Sequence, residues 1–136
     1  MMRLALVACT ILATPACRSE AKPQPSAIVW RPMASWSGRG SSQTDTFTSD
    51  TGGFRVKWET RNENPAGTGV FELTLHSAIS GRLVAPVVEQ RGIGHDVAYV
   101  YEDPHVFYFV VSSANLDWTF AVDEGVTARM TTPPGK

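Results

Sequence analysis

Residues 54–60 read FRVKWET, a heptapeptide whose first six residues alternate apolar and charged side chains. Phe54, Val56 and Trp58 fall on one side of an extended chain, and Arg55, Lys57 and Glu59 on the other. A strand sends successive side chains to opposite faces, whereas a helix would scatter this pattern around its axis. The heptapeptide is therefore a strand with one dry face and one wet face. The same period recurs downstream. FELTLH (71–76) sets Phe71, Leu73 and Leu75 against Glu72, Thr74 and His76, and DWTFAVDE (117–124) sets Trp118, Phe120 and Val122 against Thr119, Ala121 and Asp123.

Further strands are expected between and before these. RLVAPVVEQ (82–90), DVAYVYE (96–102) and VFYFVVS (106–112) are rich in β-branched and aromatic residues, and MASWSGRG (33–40) and TDTFTS (44–49) read as two shorter strands. Chain reversals are written between them in SDTGG (49–53), NENPAGTG (62–69), AISG (78–81) and SSANLD (112–117). No stretch of ten or more residues combines helical periodicity with a cap. One-sided strands must hide their apolar faces against a second sheet. The expectation is an all-β fold, an antiparallel two-sheet, jelly-roll-like β-sandwich of seven to eight short strands over residues 28–125. Phe47, Trp58, Phe71 and Trp118 supply large rings for its core.

The N-terminus has a different character. Arg3 precedes LALVACTILA (4–13), an apolar run of about ten residues, and TPA (14–16) precedes Cys17. The run is too short for a bilayer, which takes about 20 apolar residues, and its layout is that of a secretory signal over residues 1–16. The segment resembles a bacterial lipoprotein signal, in which the cysteine after the cleavage point is acylated. That family usually has Leu three places before the cysteine, where this chain has Thr14, followed by Pro15. The resemblance implies lipidation of Cys17 and a membrane partner engaged through an N-terminal lipid anchor. It also implies a place in the cell envelope, and Arg18, in place of an Asp after the cysteine, points to the periplasmic face of the outer membrane. A plain secreted product or an uncleaved signal is the alternative. The only two cysteines are Cys9 and Cys17, so the exported domain has no disulfide, and acylation accounts for a thiol that would otherwise be left over in an oxidising compartment. Residues 17–27, with Pro23 and Pro25, read as a flexible tether, and residues 126–136, ending in TTPPGK, as a disordered tail.

The runs WSGRGSSQTDTF (36–47), GGFRVKWE (52–59), GVFELTL (69–75), GHDVAYVYE (94–102), VFYFVVSS (106–113) and DWTFAV (117–122) together resemble the small β-sandwich modules of uncharacterised bacterial secreted proteins and lipoproteins, broadly similar to CUB-like jelly rolls. The resemblance spans most of residues 34–124. Its shared features are core aromatics and turn glycines, which imply architecture and leave activity open.

Composition and motifs exclude more than they assign. The chain has 12 basic and 13 acidic residues and a formal net charge of −1. It lacks the basic stripe that phosphate neutralisation requires, so no nucleic-acid partner is expected. There is no G-x-S-x-G, no H-E-x-x-H and no cysteine nucleophile in the domain, so no catalytic residue is assigned and a non-enzymatic role is expected. GRG (38–40) reads as a turn. His95 and His105 lie about 33 Å apart along an extended chain, which argues against a shared metal site, and His76 sits on the wet face of its strand. No metal or other cofactor is expected. A structural or protein-interaction role in the envelope, with another envelope protein as partner, follows by elimination. The competing role is a carbohydrate- or ligand-binding platform built from Tyr99, Tyr101 and Tyr108. Tyr108 alternates with Phe107 and Phe109 and points outward, while Tyr99 and Tyr101 share a face that the pattern leaves open between core and solvent. Trp30 and Trp36 are placed to cover an open end of the sandwich.

Overall fold

The computed structural model describes residues 26–130, and all its regular elements are strands. In chain order they are β1 (Ser26–Arg39), β2 (Ser42–Gln43), β3 (Phe47–Ser49), β4 (Gly53–Arg61), β5 (Val70–Ser77), β6 (Leu83–Arg91), β7 (Gly94–Tyr101), β8 (His105–Ala114) and β9 (Asp117–Arg129). The FRVKWET alternation lies in β4, and its Phe54, Val56 and Trp58 are buried while Lys57 is exposed. The segment read as a signal (1–16), Cys17, the first part of the segment read as a tether and the end of the segment read as a tail (131–136) lie outside the described residues.

The strands form two antiparallel sheets. One has the order β1-β9-β4-β7, and the other β2-β8-β5-β6 with β3 also on β8. β2 and β3 act as one strand interrupted at Thr44. The Thr44 N–H donates to the Phe109 carbonyl at 3.0 Å and the Thr44 hydroxyl accepts from the Phe109 N–H at 2.9 Å, so a side chain stands in for the ladder. Counted that way, eight strands remain. Only β5 and β6 are joined within one sheet, and each other connection crosses to the opposite sheet. This winding is a jelly roll.

The two inner faces meet in an aromatic core. Phe47, Phe54, Phe71, Phe107, Phe109, Trp118 and Phe120 are buried with Leu73, Leu75, Val56 and Val122. Phe47 stacks on Phe109 at 5.3 Å and meets Phe54 edge-on at 5.6 Å. Each fully buried ring contributes roughly 1.5–3 kcal/mol. Trp36 belongs to this core rather than to an open end, since its indole contacts Phe47, Phe109 and Phe120 at centroid distances of 5.2–6.1 Å. Its Nε1–H donates to Asp45 at 2.8 Å, which gives the one polar atom of the ring a partner at the sandwich edge.

Two boundaries differ from expectation. β1 starts at Ser26, inside the segment read as tether, and β9 runs through Arg129, inside the segment read as tail. The two overhangs pair with each other, Ser26 opposite Arg129 and Ala27 opposite Ala128. Val126–Arg129 carries too few apolar residues to announce a strand alone, and the pairing with β1 supplies its hydrogen bonds.

One buried charge locks the end of the sandwich. Glu124 follows Asp123 on β9, points to the inner face and is fully buried. Its Oε1 accepts from the Asp50 N–H at 2.6 Å, the Thr51 N–H at 3.0 Å and the Ser49 hydroxyl at 2.9 Å, and its Oε2 pairs with Arg31. Burial alone would raise the Glu124 carboxyl, but these donors outweigh it and hold the group below its ordinary value.

Candidate functional site

The outer face of the four-stranded sheet carries the exposed aromatic side chains that the core does not use. The β4–β7 register sets Phe54 opposite Val100, which is buried, so the flanking Tyr99 and Tyr101 must turn outward. They are 54% and 77% exposed, which settles the face that the alternation alone left open. On the other edge of the sheet, Trp30 of β1 lies opposite Gly125 of β9. A Cβ on Gly125 would come within 3.2 Å of the Trp30 ring and 3.3 Å of Ile28, so glycine here makes room for the indole to lie low across the sheet. Trp30 thereby reaches Tyr99, with ring centroids 5.9 Å apart and planes inclined at 55°.

Charges border the rings. The Arg55 guanidinium sits 4.7 Å from the Trp30 ring centre, within cation–π range. Its Nε donates to Asp123 Oδ2 at 2.9 Å, and Lys57 Nζ approaches the same oxygen at 2.9 Å. Asp123 is on the outer face but only 3% exposed, covered by the two cations it pairs with. Burial would raise its carboxyl, yet the hydrogen bonds and charges of Lys57 and Arg55 hold it below the ordinary aspartate value. Two cations over one carboxylate leave this spot with a net positive charge. Further along the face are two open, shallow depressions around Glu59 and Thr119, one reaching Arg61 and Asp117 and the other His95 and Val97.

Of the three tyrosines singled out from sequence, the structure brings two together and separates the third. Tyr108 is on β8, in the opposite sheet, and points outward as expected. It is half-buried under the His76 imidazole, stacked at 5.3 Å with an 18° angle between planes, and its hydroxyl reaches the Gly81 carbonyl at 3.5 Å. A three-tyrosine platform is therefore not formed. The partner that sequence reasoning missed is Trp30, whose Gly125 neighbour lies 95 positions away and becomes visible only through the β1–β9 register.

Other chemistry-bearing side chains have structural partners. Ser77 Oγ and His105 Nε2 lie 2.7 Å apart, but the same oxygen accepts from the Ile79 and Ser80 N–H groups at 3.3 Å and closes the β5–β6 turn. His95 and His105 sit in different sheets. Among the described residues, no three His, Cys, Asp or Glu side chains gather closely enough to hold a metal ion. In comparisons with known proteins, no family model, no curated protein and no solved structure matches the chain.

Proposed function

We propose that this chain is a non-enzymatic binding module of the bacterial cell envelope, exported, tethered through an acylated Cys17, and engaging another envelope protein through the outer face of its four-stranded sheet. The observation that carries the proposal is the cluster of Trp30, Tyr99 and Tyr101 with Arg55 on that face. Trp, Tyr and Arg are the residues in which interface energy concentrates: the two aromatics bury large area for few rotatable bonds, and the guanidinium adds a planar fork of donors that stacks on rings. Trp30 is held by the sheet and by Arg55, so a partner meets that ring already ordered and loses little entropy in fixing it. The lipid tether rests on the sequence around Cys17, and the kinship to CUB-like envelope modules rests on the core aromatics and turn glycines. Proximity labelling in the native cell tests the interaction: the labelled set should shrink in a Trp30→Ala/Tyr99→Ala variant, and an unchanged set would contradict it. Membrane fractionation tests the tether, since Cys17→Ser should move the protein to the soluble fraction.

A carbohydrate ligand is the second reading, favoured by two exposed tyrosines at alternate positions of β7. Against a flat polysaccharide stands the 55° inclination between Trp30 and Tyr99, which keeps both rings from stacking on one plane. Retention on insoluble polysaccharide that disappears in Tyr99→Ala would favour sugar over protein.

A further inference from the structure

We infer that one end of the sandwich, the projecting β1–β9 ribbon with Ile28, Val29 and Met130, rests in the interface of a lipid bilayer. The inference deepens the function proposed above and rests on its Cys17 tether.

The β4–β9 ladder stops at Phe54 opposite Glu124, whereas β1 and β9 continue together through five more residue pairs, from Trp30–Gly125 to Ser26–Arg129. β4 itself reaches Gly53, level with Gly125, so at about 3.3 Å per residue the four further pairs extend roughly 13 Å beyond this neighbour. Alternation puts Ile28 and Val29 on opposite faces of the ribbon, and both are open, at 65% and 48% exposed. Met130 is exposed just after the last pair. A protein docking on one face would leave the other wet. A lipid interface surrounds both.

The rest of that end agrees. The Glu102 N–H donates to the Gly52 carbonyl and the Ala78 N–H to the Val106 carbonyl, which gathers the β3–β4, β5–β6 and β7–β8 connections beside the ribbon. Exposed Ile79 and Leu83 therefore belong to the same end, and of the large exposed apolar residues at the tips of the sandwich, among the described residues, only Ile93 lies at the other. Arg31, Arg82 and Arg129 nearly balance Asp50, Glu102, Asp103 and the buried Glu124, so apolar contact and not charge drives the docking. Its depth is bounded: the ribbon's two outer edges carry unpaired peptide groups, which hydrocarbon does not tolerate and the hydrated headgroup region does.

Chain connectivity points the same way. The polypeptide enters the fold at Ser26, two residues from Ile28, and Cys17 is nine residues further back. Nine extended residues span at most about 30 Å, so an acylated Cys17 keeps this end nearest the membrane.

The domain's lack of cysteine allows a direct test. Full chains carrying Ile28→Cys, Val29→Cys or, on the opposite sheet, Ser112→Cys are labelled with an environment-sensitive fluorophore and reconstituted into vesicles of phosphatidylethanolamine with a minor share of phosphatidylglycerol. Mass spectrometry of the same samples reads the acyl group. The expected result is a blue shift at positions 28 and 29, none at 112, and no reversal by salt. An acylated protein with no shift at 28 or 29 overturns the inference and leaves the tether standing. A shift that persists in an unacylated chain with Cys9 and Cys17 replaced by Ser, where only the introduced thiol carries the fluorophore, supports the lipid contact and removes the tether, and absence of both removes both. A shift that arises without vesicles and grows with protein concentration overturns the inference in favour of a second copy of the chain.

Discussion

The outer faces of the two sheets are built by the same alternation and finish as different surfaces. On the sheet containing β8, Tyr108 lies against His76, and His76 in turn bonds the Thr74 hydroxyl at 3.0 Å and the Gly81 carbonyl at 3.3 Å. Each group there is occupied by its neighbours. On the sheet containing β9, Trp30 lies low over Gly125 while Tyr99 and Tyr101 stand free beside Arg55 and Lys57. Period two decides which side a ring takes. The residues across the strands decide whether that ring remains available to a partner.

The largest effect is expected where the two faces share support. Trp118 is buried between the sheets and stacks against Phe71 at 6.1 Å. Trp118→Ala should cost about 3–5 kcal/mol and lower the melting temperature with loss of both outer faces together. A melting temperature equal to that of the wild type would show that the sheets do not depend on this ring.

Next comes the lock at Glu124. Glu124→Gln keeps the size but replaces one acceptor oxygen by a donor among groups that already donate, so about 2–3 kcal/mol should be lost. Chemical denaturation reads the difference. The same carboxylate, with Asp123, sets the acid limit of the fold. Both have folded-state values below the ordinary ones, so their contribution is complete above the unfolded value of about 4 and disappears as pH falls through the lower folded values. Stability should therefore decline below about pH 4, and more gently in Glu124→Gln. A pH dependence identical in the variant would contradict the assignment.

The smallest change in stability should accompany the largest change in binding. Trp30→Ala removes a partly buried ring and should cost about 1–2 kcal/mol, yet reduce partner engagement strongly. Tyr108→Ala should leave engagement unchanged. If the two variants behave alike, the contrast between the faces has no functional content.

Much of the architecture was legible in the heptapeptide at 54–60 and its repeats, because an amphipathic strand needs only its own side chains to declare two faces. What needed a partner strand stayed hidden. Ala98 and Val100 could fill a core as readily as Tyr99 and Tyr101 could, and only the pairing of Val100 with Phe54 decides between them. Glu124 continues the apolar face of β9 with a charge, and the donors that make this tolerable come from residues 49–51, more than 70 positions upstream. Trp30 likewise joins the candidate site through a strand that closes the sheet from the far end of the chain.

The outer face of the β9 sheet is the surface proposed to meet another envelope protein. A photo-crosslinking amino acid placed at position 99 or, in a separate strain, at position 108 tests this most directly in living cells. A discrete protein adduct is expected from position 99, lost when Trp30→Ala is added, and none from position 108. Adducts of equal yield from both positions, or from 108 alone, would contradict it.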